Sequence, residues 1–254
     1  MQDQKKSPLT DKPLRNPGQS LDESISKILD DEAMQYALLP TICIVFTLVE
    51  WLRWYNESPY APYIWTVITL IVLPYSLYKL FRIRKTLKKL RLGRDGERVV
   101  GQYLELLREQ GFRVFHDIVG NKFNIDHVVI SEKGVYVIET KTYSKPSKGK
   151  PIVCHQNDQI IINGFNTGDK TITQVTAASS WLANIIKEST GKSIPVKPVV
   201  VFPGWFIETK NNTKDVWVIN PKGLPAFINN SPTALSKEEM MMVSYHISRY
   251  IRNC

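Results

Sequence analysis

The chain has little that could staple it or power it. Its three cysteines, Cys43, Cys154 and Cys254, are odd in number and widely spaced. That excludes a disulfide framework and a paired Cys-x-x-Cys zinc motif, and free thiols suit a reducing cytoplasm. Histidine is scarce, and His116, Cys154 and His155 form no zinc spacing. No GxxxxGK[ST] loop is present, so no built-in NTPase motor is visible. There is no internal repeat. Charge is missing altogether from residues 33–49 and 59–78, and acid is missing from residues 79–94.

What is there begins with those gaps. Leu38 to Val49 is dense in aliphatics, and Ile64 to Leu73 is a second apolar run. A bilayer core needs about 20 mainly apolar residues per helix. Trp51, Trp54, Tyr55, Tyr60, Tyr63 and Trp65 crowd the ends that meet in the short connection, where an interfacial aromatic belt belongs. Pro40 and Pro74 are tolerable in membrane helices. A cleaved secretory signal does not suit a run that follows 32 polar residues and precedes a second run. The plainer alternative is a buried helical pair in a soluble protein.

The stretch from Lys79 to Arg94 holds Lys79, Arg82, Arg84, Lys85, Lys88, Lys89, Arg91 and Arg94. Basic residues beside a span mark its cytoplasmic side, and the same cluster suits anionic lipid headgroups. Two spans bring both termini to one face, so a multi-pass protein of the cytoplasmic membrane with both ends inside is expected. Steering nucleic acid is the other reading of the cluster. No charge inside the runs suggests an ion path.

The length of 254 residues fits one sizeable core plus an appendage, and the net charge of +9 favours polyanionic partners. The expected organisation is a polar, mostly disordered segment 1–32 with a short helix near 21–31, two membrane helices over 33–78, a basic juxtamembrane helix over 79–94, and an α/β domain over 95–254. Gly93 to Gly96 is expected to break the basic helix.

A new helix then carries Val100, Leu104 and Leu107 on one face. Phe112–Val119, Ile125–Ile130 and Val135–Lys141 read as strands, with turns at 120–122 and at Ser131–Gly134. A hairpin around Asn157-Asp158, a helix over 171–188, a buried strand over 196–202, a strand over 215–219 and a final helix opened by the capping box Ser236–Glu239 complete the order. The fold class is α/β: a mixed sheet flanked by helices, preceded by a transmembrane helical hairpin.

Glu139 and Lys141 are two apart on a strand and share a face. If the strands pair about the Ser131–Gly134 turn, Asp126 falls opposite Glu139. Opposed carboxylates repel unless a cation lies between them, and oxygen ligands suit Mg²⁺ or Mn²⁺. Lys141 adds a positive charge able to orient water or to stabilise a phosphorane. On spacing alone a salt-bridge network at a sheet end is the plainer reading. His127, on the opposite strand face, reads as a packed core histidine, and Met240, Met241 and Met242 read as packing.

Three blocks, Gly96-Glu97-Arg98-Val99-Val100, Asn124 to Ile130 and Gly134 to Lys141, resemble in order and spacing the nuclease-related domain family over roughly residues 93–205. That family is similar to the PD-(D/E)xK restriction-endonuclease-like nucleases. The resemblance implies a restriction-endonuclease-like fold and a catalytic set of Asp126, Glu139, Lys141, Glu97 and Gln174. Within that set Asp126, Glu139 and Glu97 would hold Mg²⁺ or Mn²⁺, Lys141 would be the catalytic lysine, and Gln174 would match the glutamine of the later helix, the equal alternative for Gln174 being a polar residue at a helix N-terminus. Ile125 stands where the named motif has proline, and no acid follows Lys141 closely, so a second metal is not implied.

The function expected is membrane-anchored, metal-dependent hydrolysis of DNA, with RNA as the less favoured alternative substrate. The alternatives are a non-catalytic module that binds nucleic acid or protein at the membrane, and a membrane-organising protein whose function lies in residues 33–78.

Overall fold

The computed structural model describes residues 12–56, 62–120, 123–210 and 215–253. Tyr60, the connection expected outside the membrane, the centre of the expected 120–122 turn, residues 1–11 and Cys254 lie outside the described residues. The chain divides into two compact units, one of residues 20–92 and one of residues 1–19 with 93–254.

The first unit is a helical hairpin. Helix α1 (Gln19–Lys27) runs through a π-helical stretch (Ile28–Ala33) into α2 (Met34–Tyr55), and α3 is Pro62–Glu109. The helix expected near 21–31 is therefore present. Ile25, Ile83 and Leu87 form a small buried cluster with Ile28, Tyr36 and Leu90. Further along, the Thr47 hydroxyl donates to the Cys43 carbonyl at 2.8 Å and lies 2.8 Å from the Thr69 hydroxyl. Ser76, Pro40 and Cys43 are buried in this unit.

The outward faces are apolar. Leu38, Val45, Leu48, Ile64, Leu70 and Ile71 are all exposed. Only 11% and 6% of the two most apolar windows are buried. Both helices are long and apolar enough to cross a membrane.

The expected break at Gly93–Gly96 is not found, because α3 continues through both glycines. Each glycine costs the helix about 1 kcal/mol. At Gly96 the reason is packing: a side-chain Cβ there would lie 2.8 Å from the Thr142 Cβ. The residue that reads as a helix breaker is thus a close-approach site.

The second unit is built on a five-stranded sheet of order β1-β2-β3-β7-β9: β1 (Arg113–Val119), β2 (Asn124–Ser131), β3 (Gly134–Thr140), β7 (Val196–Val201) and β9 (Trp217–Ile219). Strands β1 to β3 are antiparallel, while β7 and β9 join in parallel. Alternation sorts the side chains into two cores. Val128, Ile130, Val135 and Val137 pack with Val175, Leu182 and Ile186 of α4 (Lys170–Thr190) and Val243 and Ile247 of α6 (Lys237–Asn253). Val129, Tyr136, Ile138 and Val199 pack with Val100, Leu104 and Leu107 of α3 and with Leu224 and Ile228 of α5 (Leu224–Asn229). Both faces are covered, which is why the strands read as continuous apolar runs. The capping box forms: Ser236 N–H donates to the Glu239 carboxylate and Glu239 N–H to the Ser236 hydroxyl.

A single mixed sheet was expected, and the structure has two. The hairpin of β4 (Ile152–Gln156) and β5 (Gln159–Ile162) turns at Asn157-Asp158, both with positive φ. It forms a separate four-stranded sheet with β6 (Phe165–Asn166) and β8 (Phe206–Lys210), in the order β6-β5-β4-β8. Strand β8 is mostly exposed and pairs in parallel with β4, so it carries no apolar alternation to announce it.

The polar segment before α1 was expected to be mostly disordered. Residues 12–19 instead belong to the α/β unit. Leu14 packs on its core, and Pro17 lies where a Cβ at Gly101 would come within 2.5 Å.

Candidate active site at one end of the large sheet

The site begins with strand register. His127 pairs with Ile138 and Ser131 with Gly134, so the next position places Asp126 beside Glu139. Parity puts both on the face that α4 covers, and α4 delivers Gln174 there. Lys141 follows directly on β3, its backbone N–H held by the Val201 carbonyl at 2.9 Å.

The side chains converge. Glu139 Oε1 accepts from Lys141 Nζ at 2.7 Å and from Gln174 Nε2 at 2.9 Å, while Lys141 Nζ also donates to Gln174 Oε1 at 3.2 Å. Asp126 Oδ2 accepts the Thr140 backbone N–H at 2.7 Å, which ties the start of β2 to the end of β3. Glu97 arrives from α3 and is buried, accepting a backbone N–H from Gly18. All five residues singled out in the sequence therefore come to one end of the sheet.

Two residues near them were not anticipated. Asp117 lies between the pairs His116–His127 and Ile118–Ile125, and so abreast of Asp126. It is buried, has φ 50°, and accepts Arg15 Nε at 2.7 Å. Aspartate tolerates the left-handed region better than most residues. The turn before β2 hides the β1 register in the sequence, and a lone arginine in a polar segment carries no periodic signal.

The electrostatics record crowding of like charge. Burial, then the charges of Asp117 and Glu139, push Glu97 up to about 7. Burial, then Glu139 and Glu97, raise Asp126 well above the usual carboxylate range, against the Thr140 N–H and Lys141. Burial alone would lower the Lys141 ammonium, but Glu139 and Asp126 outweigh it and its pKa rises. Lys141 is therefore a cation at neutral pH. It is not a neutral base.

An oxygen-only set of mutually repelling carboxylates fits a hard divalent cation by its chemistry. Among the described residues no group of three or more His, Cys, Asp or Glu is already arranged to ligate one. Asp126 and Glu139 are the residues best placed to do so, with Glu97 within electrostatic reach.

The histidines stand apart from this chemistry. His127 is fully buried, its Nδ1 2.9 Å from His116 Nδ1, and His116 Nε2 lies 3.3 Å from Glu105. Burial lowers the pKa of both, as expected of packed core histidines. Met240 is buried in the core while Met241 is exposed.

Residues 92–203 match the family described as Nuclease-related domain. A stretch of 56 residues is 39% identical to an uncharacterized protein of Bacillus anthracis, covering 20% of this chain and 26% of that protein. The chain thus spans about a quarter of the length of the curated relative it matches. No solved structure matches.

Proposed function

We propose that the chain is a membrane-anchored, metal-dependent nuclease of PD-(D/E)xK type that hydrolyses phosphodiester bonds of DNA on the cytoplasmic side. The observation that carries the reading is the convergence of Asp126, Glu139, Lys141 and Gln174 at one sheet end inside the nuclease-related region. Asp126 and Glu139 would hold Mg²⁺ or Mn²⁺, with Glu97 completing the shell directly or through water. The cation would supply electrophilic stabilisation of a phosphoryl oxygen.

The remaining work falls to the chain's own groups. Thr140 N–H fixes the Asp126 carboxylate. Gln174 bridges Glu139 and Lys141 and so aims the ammonium. Lys141, charged at neutral pH, orients the attacking water and offsets charge developing on the phosphate. Lys145, Lys148 and Lys150 follow in the adjoining loop and are exposed, a surface suited to a polyanionic backbone. The anchor is the hairpin of α2 and the first part of α3, with the basic run 79–94 against anionic headgroups of the inner leaflet.

Full-length protein in detergent should cleave labelled duplex DNA with Mg²⁺ or Mn²⁺ and not with EDTA. Cleavage that persists undiminished in Glu139→Ala would sink the assignment. The second reading, a non-catalytic binding module, rests on the closed Glu139–Lys141–Gln174 network, which satisfies itself without a metal. It predicts salt-sensitive DNA binding that Lys141→Ala leaves intact, and no cleavage.

A further inference from the structure

A cavity of about 240 Å³ opens in the helical hairpin where the uncharged run of α3 gives way to the basic one. It is lined by Ile28, Glu32, Tyr36, Lys79, Arg82 and Ile83 among others. Lys79 Nζ stands 5.8 Å from the centre of the Tyr36 ring and 5.6 Å from that of Tyr75, and these rings meet edge to face. The Arg82 guanidinium lies 5.9 Å from the Tyr78 ring centre. Among the described residues no carboxylate pairs with either cation.

We infer that this cavity is a binding site for the phosphodiester headgroup of a single anionic phospholipid, an assignment that rests on the membrane-anchor reading. Four features point there. The ammonium of Lys79 and the guanidinium of Arg82 are one helical turn apart on α3 and can both reach one phosphate. With Glu32 on the wall, the lining carries one net positive charge, which balances a singly charged phosphodiester. Its depth is right: Lys79 is the first charge after the run from Pro59 to Tyr78, the level at which headgroups meet a span, and tyrosines mark that interface. The π-helical stretch that supplies Ile28 and Glu32 is a local widening of the kind that accompanies functional sites. A free phosphate ion shares the recognition chemistry but would leave the apolar part of the wall, Ile28 and Ile83, uncovered.

The test uses the full chain in mild detergent and native mass spectrometry. The probes are phosphatidylglycerol, phosphatidylcholine and inorganic phosphate. Wild type should retain one phosphatidylglycerol in preference to phosphatidylcholine. K79Q/R82Q should lose it by at least about tenfold, the effect of removing charge-assisted contacts, whereas K79R/R82K should keep it. K88Q/K89Q removes the same charge elsewhere on the helix and should also keep it. Equal loss in K79Q/R82Q and K88Q/K89Q would overturn the site in favour of diffuse attraction. Displacement of the lipid by inorganic phosphate at matched concentration would overturn the lipid as its occupant. Recovery of the wild-type chain in the soluble fraction of cells would instead refute the membrane anchor itself.

Discussion

Glu97 offers the most quantitative test of the crowded acid cluster. It is buried, 9% exposed, and its carboxyl is pushed from 4.5 to about 7 by burial and by Asp117 and Glu139. The folded state therefore binds the proton more tightly than the unfolded chain does. Stability is greatest below the unfolded value, falls as pH rises through the interval, and is fully reduced above the folded value. A shift from 4.5 to about 7 corresponds to about 3 kcal/mol, at roughly 1.4 kcal/mol per unit. Glu97→Gln keeps the shape and removes the titration. Denaturant unfolding of full-length protein in EDTA, followed by tryptophan fluorescence, would be compared at about pH 4.5 and about pH 8.5. Wild type should lose about 3 kcal/mol more across that window than Glu97→Gln. Asp126 keeps some pH dependence in both, although less once its neighbour is gone. Saturating Mn²⁺ should flatten the wild-type slope, because a bound cation offsets the repulsion. Identical pH slopes for the two proteins in EDTA would refute the account of Glu97 as a carboxylate destabilised by its surroundings.

Four further outcomes follow from the same geometry. Lys141→Ala should reduce Mg²⁺-dependent cleavage by roughly 10²-fold or more, as loss of a transition-state contact does, and single-turnover assays on labelled DNA would read it. Gly96→Ala should destabilise the α/β unit by about 1–3 kcal/mol through its clash with Thr142, and a midpoint equal to or above wild type would show that the helix approach is looser than drawn. Leu104→Ala, at a fully buried position against the sheet, should cost about 2–5 kcal/mol in the same unfolding assay. Arg15→Ala removes the 2.7 Å ion pair to buried Asp117 and should destabilise the α/β unit by about 1–3 kcal/mol in the same assay, whereas Arg15→Ala with Asp117→Asn should recover much of that loss.

Much of the site was legible in the sequence because β-structure has a period of two. The Ser131–Gly134 turn fixes the β2–β3 register, and that register alone sets Asp126 beside Glu139. The capping box at Ser236, the packed histidine at 127 and the two apolar helices were likewise local matters, written in spacing and composition. Gly96 misled for a physical reason. In a sequence glycine signals a break, but in the fold its missing Cβ lets α3 lie against Thr142.

The sequence by itself determined which chemistry was available: carboxylates, a lysine and a glutamine at set intervals, a basic balance, and runs apolar enough to cross a bilayer. Only the tertiary structure decided their company. It brought Gln174 across from α4 to Glu139, set Asp117 close enough to Glu97 to raise the cost of ionising Glu97, and drew residues 12–19 onto the α/β unit. It also split the strands into two sheets through β8. These are contacts between residues far apart in the chain, made by packing and charge. No periodicity encodes them, because the energy that selects them exists only once the elements have met.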